Sequence, residues 1–368
     1  MGEQASRVRV VIGANEVIEL VAGLPETMRV TAFHHPNWIA SWLATQANAA
    51  RKTIAVVVEC AATGRPQMVL PLTLDTFGAA GFWAPLDRGV CDYNTSLAEP
   101  DFRPSPREMR TIWTRIVAAL PDDASFLLMD KVPVALGGRH EPLIDVDGLR
   151  RSHVIRHPLR LDADYETLRD TRFCQTNVRS LTRKRRKLAR KGRLVFEVAT
   201  GEAAREAFEQ LMVWRGERFG EREATTDFYR RLVEAGDPVR VLWLSLDGRP
   251  IAACFGAIEP KAFRLLAIGH DEAFKNWSPG LLAIEDAIAW AIEQGCDEFD
   301  FTIGSEAYKF AFGVRPEPLW LVAEEFGPHG SAMLRILLTR NLIASKLKRW
   351  IDVNGPRKRD ARSSAAAE

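Results

Sequence analysis

FRLLAIGHDEAFKNWSPGLLAIEDAIAWAIEQGCDEFDFTIGSEAYKFAF, residues Phe263 to Phe312, reads as strand, loop, helix and strand, closing on a dense polar cluster. The helix has a marked start. Ser278 is of the N-capping type, Pro279 suits the first helical position because the amide it lacks would be unpaired there, and Gly280 lets another group approach the backbone. Leu281, Ile284, Ile288 and Ile292 recur at helical spacing and predict one buried face, with Gly295 as the left-handed stop. A strand running through a loop into a helix N-terminus presents unpaired amides and the positive end of the helix dipole, which suits a phosphate. An ordinary capped helix in a mixed sheet has the same local sequence.

At 368 residues the chain is long for one domain and predicts two, each large enough for its own core. With 46% hydrophobic and 27% charged residues it has a soluble globular composition, and no apolar run nears the ~20 residues of a membrane span. MGEQASRVRV lacks a signal-peptide pattern, and Cys60, Cys91, Cys174, Cys254 and Cys296 are scattered without metal-ligand spacing. A cytoplasmic, reducing compartment is expected, with no bound metal.

Strands at 8–12, 53–59, 68–74 and 126–129 alternate with helices at 38–49 and 106–120, which predicts a mixed α/β domain closing near Leu161. FWAPLDRGVCDYNTSL, Phe82 to Leu97, shows no period and reads as a loop. Its Asp92, Tyr93 and Asn94, beside aromatic residues, suit a substrate cleft or a plain surface loop. From Leu194 come a strand, a helix at 203–219 bearing Trp214, Arg215 and Arg218, a second helix opening at Thr225 or Thr226, and strands at 239–246, 251–258 and 263–269. The turn Asp247-Gly248-Arg249-Pro250 makes the first pair of these antiparallel. A last strand is expected at 319–324. Ser331 to Trp350 reads as an amphipathic basic helix that suits a membrane surface or the protein's own body, ahead of a disordered tail.

Between the halves the pattern is helical from Asp162 to Gly192 and ends in RSLTRKRRKLARKGR, Arg179 to Arg193, with nine basic residues and no acidic one. The other 41 lysines and arginines face 48 acidic residues, so the remainder of the chain is net −7 and the near-neutral total conceals a strong local field. Val178, Leu181 and Leu188 form a narrow apolar seam, so this helix docks by one edge. Its other faces suit phosphates, an anionic lipid surface, RNA, or simply water. The absence of aromatic residues argues against single-strand nucleic-acid stacking.

TNVRSLTRKRRKLARKGRLVFEVAT (176–200), LWLSLDGRPIAACFGAI (242–258), NWSPG (276–280) and EFDFTIGSEAYKFAFG (298–313), with PNWIASWL (36–43) and LDRGVCDYN (86–94), occur in an order that resembles the CelD-like (BcsL-like), BioF2-like acetyltransferases of polysaccharide biosynthesis. That family belongs to the GCN5-related N-acetyltransferase (GNAT) superfamily and is related to the Fem-type peptidyltransferases. The resemblance spans residues 30 to 325. It implies tandem GNAT-like domains with a mixed sheet: an N-terminal one at 1–161 and a C-terminal acyltransferase domain at 162–328 that includes the basic helix 178–192. The C-terminal helix at 329–352 and the tail 353–368 complete the chain. Acyl-CoA, acetyl-CoA in the simplest case, is implied in the second domain. The helix at Ser278 takes the place of the superfamily's pyrophosphate-binding helix, with Asn276, Trp277, Ser278, Pro279, Gly280 and Leu281 standing where spaced glycines are usual.

Acyl transfer to an amine needs a proton acceptor, a donor for the carbonyl oxygen as it gains charge, and a proton for the departing thiolate. The resemblance assigns the oxyanion donor to backbone at Ala267, Ile268 and Gly269. The base is Asp300, Glu306 or His270, the acid is Tyr308, and Lys309 matches a lysine near substrate phosphate in Fem-type proteins. Asp92, Tyr93, Asn94, Trp214, Arg215 and Arg218 are the expected acceptor-binding residues. The implied acceptor is a small-molecule or glycan amine, such as an amino sugar or a cell-envelope precursor, with peripheral contact to an anionic membrane or a synthase complex. Two other readings stand beside this one: a Fem-type transferase using aminoacyl-tRNA held by the basic helix, and a non-catalytic accessory protein of polysaccharide synthesis.

Overall fold

The computed structural model describes residues 6–45, 52–87, 89–219, 223–304 and 306–354, and the side chains of 218, 219, 223, 224 and 342–354 lie outside the described residues. In chain order the elements are β1 Ser6–Ile12, α1 Ala14–Gly23, α2 Pro36–Thr45, β2 Thr53–Cys60, β3 Pro66–Phe77, β4 Ala80–Pro85, β5 Leu97–Ala98, α3 Pro106–Ala119, β6 Phe126–Val132, β7 Ala135–Leu136, β8 Arg139–His140 and β9 Arg150–Arg160. The second half contributes α4 Tyr165–Thr171, α5 Gln175–Ala189, β10 Leu194–Ala199, α6 Gly201–Phe219, α7 Glu223–Ala235, β11 Val239–Leu246, β12 Arg249–Glu259, β13 Ala262–His270, α8 Pro279–Glu293, β14 Glu298–Ile303, β15 Glu317–Glu325 and α9 Gly327–Asn354.

Twelve strands form one mixed sheet in the order β1-β2-β3-β4-β6-β15-β9-β14-β13-β12-β11-β10, with β5 on β3 as a thirteenth. From either edge the pattern is the same. Four antiparallel strands (β1 to β4, β10 to β13) lead through one crossover helix (α3, α8) to a parallel fifth (β6, β14). Each half is then completed by a strand from the other: β15 pairs with β6, β9 pairs with β14, and β9 and β15 pair together at the centre. The mixed α/β class is thus present, and its two topologically alike halves are stitched by exchanged strands.

Helices α1, α2, α6 and α7 share one core, where Trp38 meets Phe228 edge-on at 5.2 Å, so the halves are joined by packing as well as by strands. Helix α3 lies over β2, β3 and β6, α8 and α5 cover the opposite half, and α9 seats Leu334 and Leu337 on the stacked rings of Phe82 and Phe126. Helix α1, β4 and β9 add to the expected elements. Strand β4 lies partly inside the segment expected to be loop, and the expected single helical stretch after Asp162 breaks at Cys174, whose amide bonds Ala311 O. Helix α9 includes residues 353 and 354 of the expected tail, and 355–368 lie outside the described residues. No helix among the described residues is long and apolar enough to cross a membrane.

Candidate active site

Strands β13 and β14 pair only through Ala262↔Glu298, Phe263↔Phe299 and Arg264↔Asp300, and then diverge into a V. Two local features open it. The register of β13 on β12 shifts past Phe255↔Ala267, leaving Leu266 as a bulge, and Thr302 on β14 has a positive φ of 57°. Arg215 of α6 donates to the Ile268 carbonyl at 3.3 Å, so the polar edge of Ile268, its N–H included, faces the opening rather than β12. Gly269 allows α6 this close, since a Cβ there would lie 2.7 Å from Leu211 Cδ1 and 3.4 Å from Trp214 Cβ. Ala267 to Gly269, Trp214 and Arg215 therefore meet at the V; the side chain of Arg218 lies outside the described residues.

Helix α8 starts at the mouth of this V. Its predicted cap residue behaves otherwise than expected. Ser278 is left-handed (φ 50°, ψ 52°) and its side chain makes no capping bond; its Oγ instead accepts from Lys184 Nζ at 2.7 Å. The Leu281 and Leu282 amides bond Ser278 O, and Pro279 has no amide, so Gly280 N–H is the first-turn donor without an acceptor among the described residues. A Cβ on Gly280 would lie 3.3 Å from Ile268 Cδ1 and 3.5 Å from His270 Nδ1, which places the helix start, the open edge of β13 and that imidazole side by side. Lys191 Nζ sits 5.1 Å from the Trp277 ring centroid, and Arg185 binds Asp286 at 2.9 Å and Leu282 O at 3.2 Å, fixing α5 along α8. The stop at Gly295 (φ 74°) is as expected.

The corresponding junction in the first half is closed. Strands β4 and β6 pair only through Phe82↔Phe126 and Trp83↔Leu127. The segment after β4 fills the gap, leaving a cavity of about 20 Å³ lined by His34, Tyr93, Asn94 and Thr95 among others. Helix α3 carries a full capping box: Ser105 Oγ accepts Glu108 N at 3.3 Å, and Glu108 accepts Ser105 N at 2.7 Å. Its dipole end is thus satisfied by an acid, whereas α8 has no acid in its first turn.

The segment Asp87 to Thr95 crosses from the first half to β14 of the second. Tyr93 Oη donates to Asp300 Oδ2 at 2.7 Å beneath the guanidinium groups of Arg264 and Arg156, 5.0 and 5.4 Å from its ring centroid. Arg264 grips Glu259 with two bonds (2.7 and 2.6 Å) and Asp300 with one of 2.7 Å, while Arg156 pairs with Glu298 at 2.7 Å. Burial opposes ionisation of Asp300, but Arg156 and Arg264, with the Tyr93 hydroxyl and the Thr302 amide, hold its carboxyl below the usual range. Burial and the neighbouring Asp300 raise Glu298. Asp300, 0% exposed, is committed to two arginines and ill placed to carry protons.

Asp92, next to Tyr93, has the opposite character. It is half-buried, and desolvation pushes its carboxyl up to about 6 although Lys131 and the Thr302 hydroxyl favour the charged form. Lys131 binds Asp87 and the Cys91 carbonyl, and Asn94 Nδ2 binds Asp87 at 3.0 Å and Asp130 O at 2.8 Å, so Asp92 projects from a tied loop. Thr302 also presents its carbonyl to His157 Nδ1 at 3.2 Å. His157 is buried beside Phe310, its Nε2 unpartnered among the described residues, and burial lowers its pKa. Sequence reading passed over His157 because it lies in β9, whose arginines and histidines disguise a central strand.

Of the other expected residues, Glu306 is exposed and pairs with Lys309 at 2.9 Å. Lys309 is 3% exposed and donates to Ile303 O at 2.7 Å, so it supports the end of β14 rather than reaching toward the α8 N-terminus. Tyr308 is half-buried against Phe301, ring centroids 6.2 Å apart, on the turn that follows β14. Among the described residues no group of three or more His, Cys, Asp or Glu is placed to hold a metal ion.

Residues 176–310 match the family model of the acetyltransferase (GNAT) domain. Across most of the chain the fold is similar to that of FemX, with TM-score 0.56 at 14% identity over 88% of this chain and 96% of that one. It is likewise similar to a conserved protein from Bacteroides thetaiotaomicron (TM-score 0.54, 12% identity, covering 86% and 98%). The C-terminal domain of a lysylphosphatidylglycerol synthetase from Agrobacterium fabrum gives TM-score 0.53 at 16% identity, covering 90% and 98%. At such identities the likeness is one of fold. No curated protein sequence matches the chain. The V and the uncapped start of α8 both lie within the matched segment, so residues 176–310 are similar to an acetyltransferase (GNAT) domain, and acyl transfer is the activity this match supports.

Proposed function

We propose that the protein transfers an acyl group, acetyl in the simplest case, from the thioester of acyl-CoA to an amine of an amino sugar, sugar nucleotide or polysaccharide precursor, in the manner of the CelD-like enzymes. The contrast between the two crossover helices carries this reading: α8 opens uncapped and acid-free at a V, and α3 is capped by its own Glu108. A helix start with a free amide, backed by Lys184, favours a donor phosphate there.

The pantetheine thioester then lies in the V with its carbonyl oxygen toward Ile268 N–H. The amine nitrogen attacks the carbonyl carbon and gives its proton to Asp92. The C–S bond breaks, and the thiolate takes a proton from Tyr308. Asp92 replaces Asp300 and Glu306 as our choice of base because it alone among the three is part-buried and makes no direct ion pair among the described residues, its neighbour Lys131 being bound to Asp87. His270, beside Gly280, borders the donor phosphate in this arrangement. Calorimetric titration with acetyl-CoA tests the donor: saturable binding that CoA competes away is expected, and no binding at all would overturn free acyl-CoA as the donor.

A further inference from the structure

Helix α5 has two faces. Leu181, Lys184, Arg185 and Leu188 turn inward at helical spacing, and two of them hold α8. The other face carries Arg179, Arg183, Arg186, Lys187 and Arg190. These line an open groove with Arg169 of α4. Arg169 is bonded to Thr182 and lies near Glu166 and Glu285, but the five outer cations have no acidic partner among the described residues. Arg179 and Arg183, Arg183 and Lys187, and Arg186 and Arg190 are like charges one turn apart, and each such pair is repulsive. In a chain otherwise net negative, this face is poised for an anionic surface that would relieve the repulsion.

Three observations narrow the occupant. Among the described residues the exposed large apolar side chains, Ile12, Val134, Val213, Phe310 and Ile336, all lie off α4 and α5, so this face offers no anchor for a bilayer. It has no aromatic residue on which bases would stack. Among the described residues the α8 start offers one backbone amide, Gly280 N–H, which suits a single phosphodiester better than the two linked phosphates of free CoA. The groove lies across α5 from that start, about one helix diameter, 10–12 Å, away.

We propose that the α4–α5 groove docks an acidic carrier protein, whose phosphopantetheine arm passes its one phosphate by Gly280 and Lys184 and delivers the acyl thioester into the V. This rests on the acyl-transfer reading and refines its donor: charge complementarity on α5 recognises the protein, and the V recognises the arm. The bonds made and broken are those given above, with the carrier's pantetheine thiol as leaving group.

The test uses the full chain with three probes: an acidic acyl carrier protein bearing acetyl-phosphopantetheine, acetyl-CoA, and a short RNA duplex. The triple variant Arg183→Glu, Arg186→Glu, Arg190→Glu is compared with wild type and with the milder Arg→Gln triple. Its circular dichroism is expected to be unchanged, because these side chains have no partners to lose. Carrier binding is expected to weaken at least about 30-fold in the Glu triple and by less in the Gln triple, with acetyl-CoA binding altered less than about threefold. Carrier affinity that is absent, or the same in all three proteins, overturns the proposal. Duplex RNA that binds more tightly than the carrier and is lost in the Glu triple also overturns it, in favour of a nucleic-acid partner. Carrier binding without acetyl-CoA binding supports the docking and removes free CoA as donor; acetyl-CoA turnover without carrier binding removes the docking and leaves acyl transfer intact.

Discussion

Arg264 and Asp92 lie on either side of Tyr93 and Asp300, yet substitution should affect them in opposite ways. Arg264 is wholly buried and holds Glu259 and Asp300, so Arg264→Leu leaves Glu259 without its cation and Asp300 with Arg156 alone. A loss of about 3–5 kcal/mol is expected in urea unfolding, against less than about 1 for removing the exposed Arg230–Glu209 pair. Asp92 is held up to about 6 in the fold, above its unfolded value near 4, so folding favours its protonated form. That contribution is present below pH 4 and fades as pH rises to 6. Asp92→Asn is therefore expected to raise stability at pH 7.5 by up to about 2 kcal/mol while lowering kcat/KM by about 10²–10⁴-fold. In the wild type, kcat/KM should fall about tenfold per pH unit below 6, and this limb should vanish in the variant. A merely structural Asp92 would lose stability and activity together. Sequence alone exposed the acids at 92 and 300 but not which was free, because the clamp on Asp300 comes from Arg264, Arg156 and Tyr93, the last two far away in the chain.

At the scale of elements, two helices with similar opening residues carry opposite electrostatics. Ser105 and Ser278 are each followed by proline; only Ser105 receives its helix amide, because Ser278 is turned left-handed and faces Lys184. Ser105→Ala should cost about 1 kcal/mol of stability by chemical denaturation and Ser278→Ala less than about half that; equal losses would mean that Ser278 caps after all. The strands show where the sequence was readable. The order β10 to β13, α8, β14 followed from apolar runs and the Asp247-Gly248 turn. Strand β9 escaped because RRSHVIRHPLR buries Arg156 on one face and His157 on the other, so neither face shows an apolar stripe. Close approach was equally hidden: a Cβ on Gly256 would lie 2.3 Å from Phe263 Cζ and 2.5 Å from Arg264 O. Gly256→Ala should therefore cost about 1–3 kcal/mol, read as a lower urea midpoint at unchanged slope.

Over the whole molecule, the sequence indicated two repeats but not their interdependence. Strand β9 belongs by position to the first repeat, yet both its neighbours, β14 and β15, come from beyond Leu161; β15 belongs to the second and lies between β6 and β9. The site has the same dependence, since Asp92 and Tyr93 come from the first repeat and the V from the second. A chain cut at 161 leaves β9 with no partner strand in its own fragment and leaves β6 with a bare edge. It also splits the arginine–carboxylate cluster, stranding Arg156 in one piece and Glu298 and Asp300 in the other. Unpaired edges and unpaired buried charges both oppose independent folding. Fragments 1–161 and 162–368 expressed separately are thus expected to lack a cooperative thermal transition, and coexpression should restore one transition and acetyl-CoA binding together. A sharp transition in either fragment alone would make the exchanged strands a late ornament on two self-sufficient domains, and the acceptor site would then have to be sought within the second repeat only.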